Sequence, residues 1–113
     1  MKKKWILVVL VVVLVLSLAA CAPKATDKLS EIKEKGKMVA GLSADYPPFE
    51  YVDANGQLAG FDVDLVNEIA KRMGVKVEFV DMPFDSLVAA VQEGKIDLSA
   101  SAFNYSEDRD KMV

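Results

Sequence analysis

Between residues 29 and 113 the apolar residues change period again and again. Short runs that are continuous or alternate, "MVAGLS", "VKVEFVDM" and "IDLSASAF", stand between stretches of helical spacing. "LSEIKEKGK" places Leu29 and Ile32 at helical spacing and ends on Gly36. "FDVDLVNEIAKRMG" sets Leu65, Val66, Ile69, Ala70 and Met73 on one face, with Gly74 past the end. "FDSLVAAVQEG" repeats the helical period through Leu87, Val88 and Val91. "SEDRDKMV" opens a further helix, with Ser106 as its N-cap candidate. Strands that alternate with helices predict an α/β fold with an open, mainly parallel sheet.

One departure is expected. "ADYPPFEYVDANGQLAGF" carries Pro47-Pro48 and Asn55-Gly56, and the second pair marks a hairpin between residues 49–52 and 57–59. Asp62 and Asp64 sit at the positive end of the following helix, where capping and the helix dipole account for two acids without catalysis.

The N-terminus has a different character. Lys2, Lys3 and Lys4 precede an unbroken apolar run over residues 6–16, then Ser17, Ala19 and Ala20. That is the layout of a secretory leader over residues 1–20, and its apolar stretch is short for a membrane span of about 20 residues. Cys21 is the only cysteine, so no disulfide forms within the chain. "LAAC" resembles the lipobox of bacterial lipoproteins, which implies cleavage before Cys21 and acylation of its thiol. Residues 21–28 are short, polar and contain a proline, as befits a tether.

Several function classes drop out. Three of the 14 basic residues lie in the first 20 positions, so the remainder carries 11 against 17 acids, a net charge of −6. Nucleic-acid affinity rests on cationic contacts to phosphate, which this balance disfavours. There is no histidine, which removes a Ser-His-Asp triad and any His-ligated zinc. No residues call for a metal, a cofactor or a catalytic role.

In open α/β sheets ligands bind beyond the carboxyl ends of the strands. The loops there are "LSADYPPF", "DMPFDS" and "SAFNYSEDR", which bring Tyr46, Phe84 and Arg109 to one edge. "ADYPPFE", "GFDVDL", "FDSL", "GKIDL" and an arginine three places after Ser106 stand in one order at one spacing. Together they resemble the amino-acid-binding, family 3 solute-binding proteins of ABC transporters. The resemblance implies a periplasmic-binding-protein-like fold, of which residues 29–113 form an incomplete first lobe, with the hinge and second lobe absent.

By that resemblance Arg109 grips the ligand α-carboxylate, a task suited to the guanidinium fork. Tyr46 and Phe84 flank the ligand side chain. Ser101, Ala102 and Asn104 contact its ammonium or carboxylate, although the family usually has Gly or Ser where Ala102 stands, and Ser or Thr where Asn104 stands. Ser43 occupies a ligand-contacting position where binders of basic amino acids often carry an acid. The lack of an acid there argues against an arginine or lysine ligand, unless Asp45 points inward and takes its place, while Glu50, Asp81 and Asp97 read as structural or solvent-facing. The function implied is a lipid-anchored, extracytoplasmic receptor that hands a polar amino acid to the permease and ATPase of an importer. The alternatives are the sensing domain of a signalling receptor and, further off, an enzyme of the same fold. One lobe supplies one wall of a cleft, so weak binding by this chain alone is expected.

Overall fold

The structure, a computed structural model, describes residues 27–113. The expected leader and the acylated Cys21 lie outside the described residues. Helix α1, Lys28–Lys35, starts where the Asp27 side chain accepts from Ser30 N at 2.9 Å and stops at Gly36, whose φ of 65° is left-handed. β1, Lys37–Leu42, follows directly. β2 (Asp45–Tyr46), β3 (Glu50–Val52) and β4 (Leu58–Ala59) form a small antiparallel sheet. α2 (Phe61–Met73), β5 (Lys76–Asp81), α3 (Phe84–Gln92), β6 (Leu98–Ser99) and α4 (Glu107–Asp110) complete the order.

The main sheet is parallel with strand order β5-β1-β6. Alternation along β1 sends Met38 and Ala40 to one face, where they pack with Ile32, Val66 and Ala70 of α1 and α2. Val39 goes to the other face, beside Leu87 and Ala90 of α3 and Ile96. Helices therefore cover both faces, as the near-continuous apolar strands require. Gly41 allows the close approach of α3, because a Cβ there would run into the Ile96 and Leu87 side chains.

The hairpin forms as expected. Tyr51 pairs with Ala59 and Val52 with Leu58, and Asp53 accepts from Asn55 N and Gln57 N, both at 2.8 Å, to hold the turn. β2, which pairs Tyr46 with Glu50, was not foreseen. Two residues are too few to show alternation.

Three expectations need correction. The buried line of α2 is Val63, Val66 and Ala70, because that line faces Met38 and Ala40, whereas Leu65 and Ile69 stay 44% and 38% exposed on its flank. In α3 the buried positions are Leu87 and Ala90, with Val88 and Val91 only half-buried. The strand expected over 96–103 pairs with β1 at Leu98 and Ser99 alone. Beyond Ala100, whose N donates to Gly41 O at 3.0 Å, the next β1-side donor, Ser43 N, goes to the Ser101 hydroxyl at 3.0 Å. Ala102 then takes a φ of 46°, which turns the chain out of the sheet.

Candidate functional site

The ends of β1, β5 and β6 deliver three loops to one side of the sheet. Five of the seven expected residues, Tyr46, Phe84, Ser101, Ala102 and Asn104, line one recess of about 270 Å³. Asp45 and Glu50 complete its wall. Tyr46 stays 58% exposed and stacks on Phe49 at 5.7 Å, while Phe49 meets Phe61 edge-on at 6.4 Å. Tyr46, on the wall of the recess, thus heads a line of three packed rings.

Ser43 lies beneath the wall rather than on it. It is buried, and its hydroxyl donates to Asp45 Oδ1 at 3.2 Å. It opens instead on a neighbouring recess beside Asp81 and Met82. Asp81 accepts from Ala44 N at 3.0 Å and so ties β5 to the start of this loop.

Arg109 stands one layer behind the recess. Its guanidinium lies 5.5 Å from the Phe84 ring and 5.2 Å from the Phe103 ring, and these two rings are 4.7 Å apart. Nη1 donates to Asn104 O at 2.9 Å. Ser106 caps α4 as expected, accepting from Arg109 N at 3.2 Å. Glu107, Asp108 and Asp110 are exposed, and among the described residues none forms an ion pair with Arg109. Arg109 also borders a larger opening of about 570 Å³, walled by Val88, Leu98 and Phe103. That opening lies along β6, a sheet edge with one paired side; of the expected contact residues only Arg109 and Asn104 border it, and Asn104 also lines the smaller recess.

The wall of the smaller recess is acidic. Asp45 and Glu50 line it, and no lysine or arginine does. Glu50 is 1% exposed, and its Oε1 accepts from Ser101 Oγ at 2.8 Å. Burial raises its pKa above the usual carboxylate value, the Ser101 bond opposes that, and the Asp62 and Asp45 carboxyls reinforce it. Asp62 corrects the capping expectation. The N-cap of α2 is Gly60 with no side-chain bond, and buried Asp62 Oδ2 accepts from Ala102 N at 2.6 Å. The first amides of α2 are met by backbone instead, Phe61 N donating to Pro48 O at 3.0 Å and Asp62 N to Phe49 O at 2.9 Å.

Sequence reasoning missed Phe103 as the second ring under Arg109, and it missed the inward aim of Glu50. A signal for the latter existed: Phe49, Glu50 and Tyr51 alternate, so a strand that turns its aromatics outward turns its acid inward. Among the described residues no group of three or more His, Cys, Asp or Glu is placed to hold a metal. No helix among them is long and apolar enough to cross a membrane.

Residues 38–113 match the profile of the bacterial extracellular solute-binding proteins, family 3. The chain belongs to that family. Its fold is accordingly periplasmic-binding-protein-like, and the chain covers part of it. This family 3 chain is 37% identical over 98% of its length to the arginine-binding extracellular protein ArtP of Bacillus subtilis, and it spans 42% of ArtP. It is 38% identical over 95% of its length to a probable histidine-binding protein of Neisseria gonorrhoeae, and spans 40% of that relative. Among solved structures, the arginine-bound form of domain 1 from TmArgBP superposes with a TM-score of 0.71 at 50% identity, covering 77% of this chain and 67% of that one. The family 3 chain thus spans about two fifths of its curated relatives and a larger share of an isolated domain.

Proposed function

We propose that residues 29–113 form part of the first lobe of an extracytoplasmic amino-acid receptor that serves the permease and ATPase of an ABC importer. In this reading the protein is tethered to the membrane through acylated Cys21 and performs no chemistry on its ligand. The observation that carries the reading is the recess itself. In a family 3 chain, two aromatic rings, two loop polar residues and two acids converge at the carboxyl end of a parallel sheet, with an arginine directly behind them. Tyr46 and Phe84 supply rigid faces for a ligand side chain. Asp45 supplies the carboxylate that Ser43 lacks, so a cationic amino acid is favoured among polar ones. The names of several relatives, arginine-binding and histidine-binding, agree with that class. Arg109 has one guanidinium nitrogen engaged and further donors to offer. It reaches a ligand α-carboxylate by swinging from Asn104 O past Phe84.

The arginine-bound form of domain 1 of TmArgBP weakens the expectation that one lobe binds poorly, since that domain holds arginine. Calorimetric titration of this chain with L-arginine, L-lysine, L-histidine, L-glutamine and L-cystine tests the reading. Arginine or lysine should bind most tightly. Failure of every amino acid to bind would refute it. A leader peptide removed before Cys21, with acyl mass on the new N-terminus, is the expected result of mass spectrometry on the expressed protein. An unmodified chain that keeps Met1 would refute the anchor.

A further inference from the structure

Glu50 and Asp62 are both buried, at 1% and 7% exposure, and neither has an ion-pair partner among the described residues. Glu50 Oε1 takes the Ser101 hydroxyl, while Oε2 is buried with no hydrogen-bond donor. Asp62 Oδ2 takes Ala102 N, the residue directly after the Ser101 that Glu50 holds, so the two carboxyls meet at one turn, and the Asp62 carboxyl acts on Glu50. Two carboxylates that face each other away from water, with no cation between them, cannot both stay charged without a large penalty.

We propose that Glu50 and Asp62 share one proton, carried on Glu50 Oε2 and donated to Asp62, and that this pair is a positioning device for the Ser101–Ala102 turn of the recess. Each carboxyl holds one residue of that turn. Glu50 fixes the Ser101 hydroxyl, which in turn receives Ser43 N from the end of β1. Asp62 fixes Ala102 N, the residue held at a φ of 46°. The proton gives the orphaned Glu50 Oε2 a partner and joins β3, the first turn of α2 and the loop after β6. The charged groups that bear on Glu50 are Asp62 from α2 and Asp45 from β2, both acidic, and burial acts in the same direction. The link to ligand affinity rests on the amino-acid reading above, whereas the shared proton does not.

Glu50→Gln is an apt probe, because its amide keeps an acceptor for Ser101 and a donor for Asp62 at every pH. The sign of the pH effect follows from the raised folded-state pKa. A proton held more tightly in the folded chain contributes stability below the ordinary glutamate pKa, and that contribution fades as pH rises through the folded value. The melting temperature of Glu50→Gln relative to wild type should therefore climb with pH. Infrared spectra of the full chain should show the carbonyl stretch of a protonated carboxylic acid persisting in wild type above the ordinary glutamate value of 4.5, where Glu50→Gln has lost it. Affinity for L-arginine, the probe ligand, should fall with rising pH in wild type while Glu50→Gln stays within about threefold of its own value.

A wild-type spectrum without the acid band, or melting temperatures that run parallel with pH, overturns the shared proton. Were Glu50→Gln not to fold, loss of the wild-type band in step with its melting temperature on raising pH supports the pair, and loss of either alone overturns it. If arginine never binds but the band and the diverging melting curves are present, the amino-acid reading fails and the pair stands. If arginine binds with the same pH dependence in both proteins, the pair's role in positioning fails and the amino-acid reading stands.

Discussion

Arg109→Ala should remove two contributions of different size, and their difference tests the role assigned to this residue. Without ligand, the side chain makes one hydrogen bond to Asn104 O and stands over the Phe84 and Phe103 rings. A net hydrogen bond contributes about 1 kcal/mol. A cation over a ring at an exposed site contributes roughly 0.5–1 kcal/mol. The site is half-open to water, so the sum is discounted to about 1–2 kcal/mol of folding stability, a drop of roughly 5–15 °C in a domain of this size. With ligand bound, the loss is larger. A ligand carboxylate left desolvated without its partner costs about 3–5 kcal/mol. That is roughly 150- to 5000-fold in affinity. Because every α-amino acid carries that carboxylate, the loss should be uniform across side chains. Arg109→Lys should restore part of it, since lysine is a point charge without the planar fork. Calorimetry against a panel of amino acids, run beside thermal melts, measures both quantities. An Arg109→Ala protein that melts lower yet keeps wild-type affinity would reduce the arginine to a brace under Phe84. Loss confined to one ligand would make it a reader of side chains.

Other outcomes follow from neighbouring contacts. Tyr46→Ala, Phe84→Ala and Asn104→Ala should each change the ranking of amino acids as well as their affinity, which the same titration panel reads. Gly60→Ala should cost about 2–4 kcal/mol in denaturant melts, because at its φ of 122° a Cβ would meet the Phe49 and Pro48 carbonyls and break the two backbone bonds that start α2. Asp97 resists acid. Burial raises its pKa, but the Lys28 ammonium at 2.7 Å and Val39 N at 2.8 Å outweigh that and leave it lowered. Its contribution is thus present above the ordinary aspartate value of 3.8 and is lost as pH falls through the lowered folded value. Asp97→Asn should flatten that acid limb in a pH series of melting temperatures, and an unchanged limb would contradict the assignment.

What could be read in the sequence was local. Gly36 and Gly74 close their helices in left-handed conformations, and Asn55-Gly56 makes its hairpin, because each signal acts within a few residues of itself. Strand identity and parallel order were also legible, since apolar period and length decide them. The meeting of Tyr46 and Phe84 at one edge followed from the strand order, whereas the roles of Ser101, Ala102 and Asn104 came from the family resemblance. The rest depended on contacts across the fold. Asp62 resembles any first-turn acid until Ala102, 40 residues later, arrives as its donor. Glu50 resembles a hairpin surface residue until Ser101, 51 residues on, covers it. The buried side of α2 could not be chosen between two adjacent apolar lines without knowing where β1 lies.

The strand at the centre of the sheet is the first to be made. β1 waits for partners: the Lys37–Glu78 contact spans 41 residues and the Val39–Asp97 bond spans 58. Closing such loops carries an entropic cost that local turns avoid, so parallel pairing of this kind is slow. An emerging chain can form α1 and the β3–β4 hairpin early, yet β1 stays unpaired until β5 exists and one-sided until β6 does. If the proposed leader routes the chain through a narrow translocation pore, this delay is an asset. Among the described residues the middle of the sheet sets last, so this stretch remains threadable until β6 has reached the far side and only then acquires its rigid form.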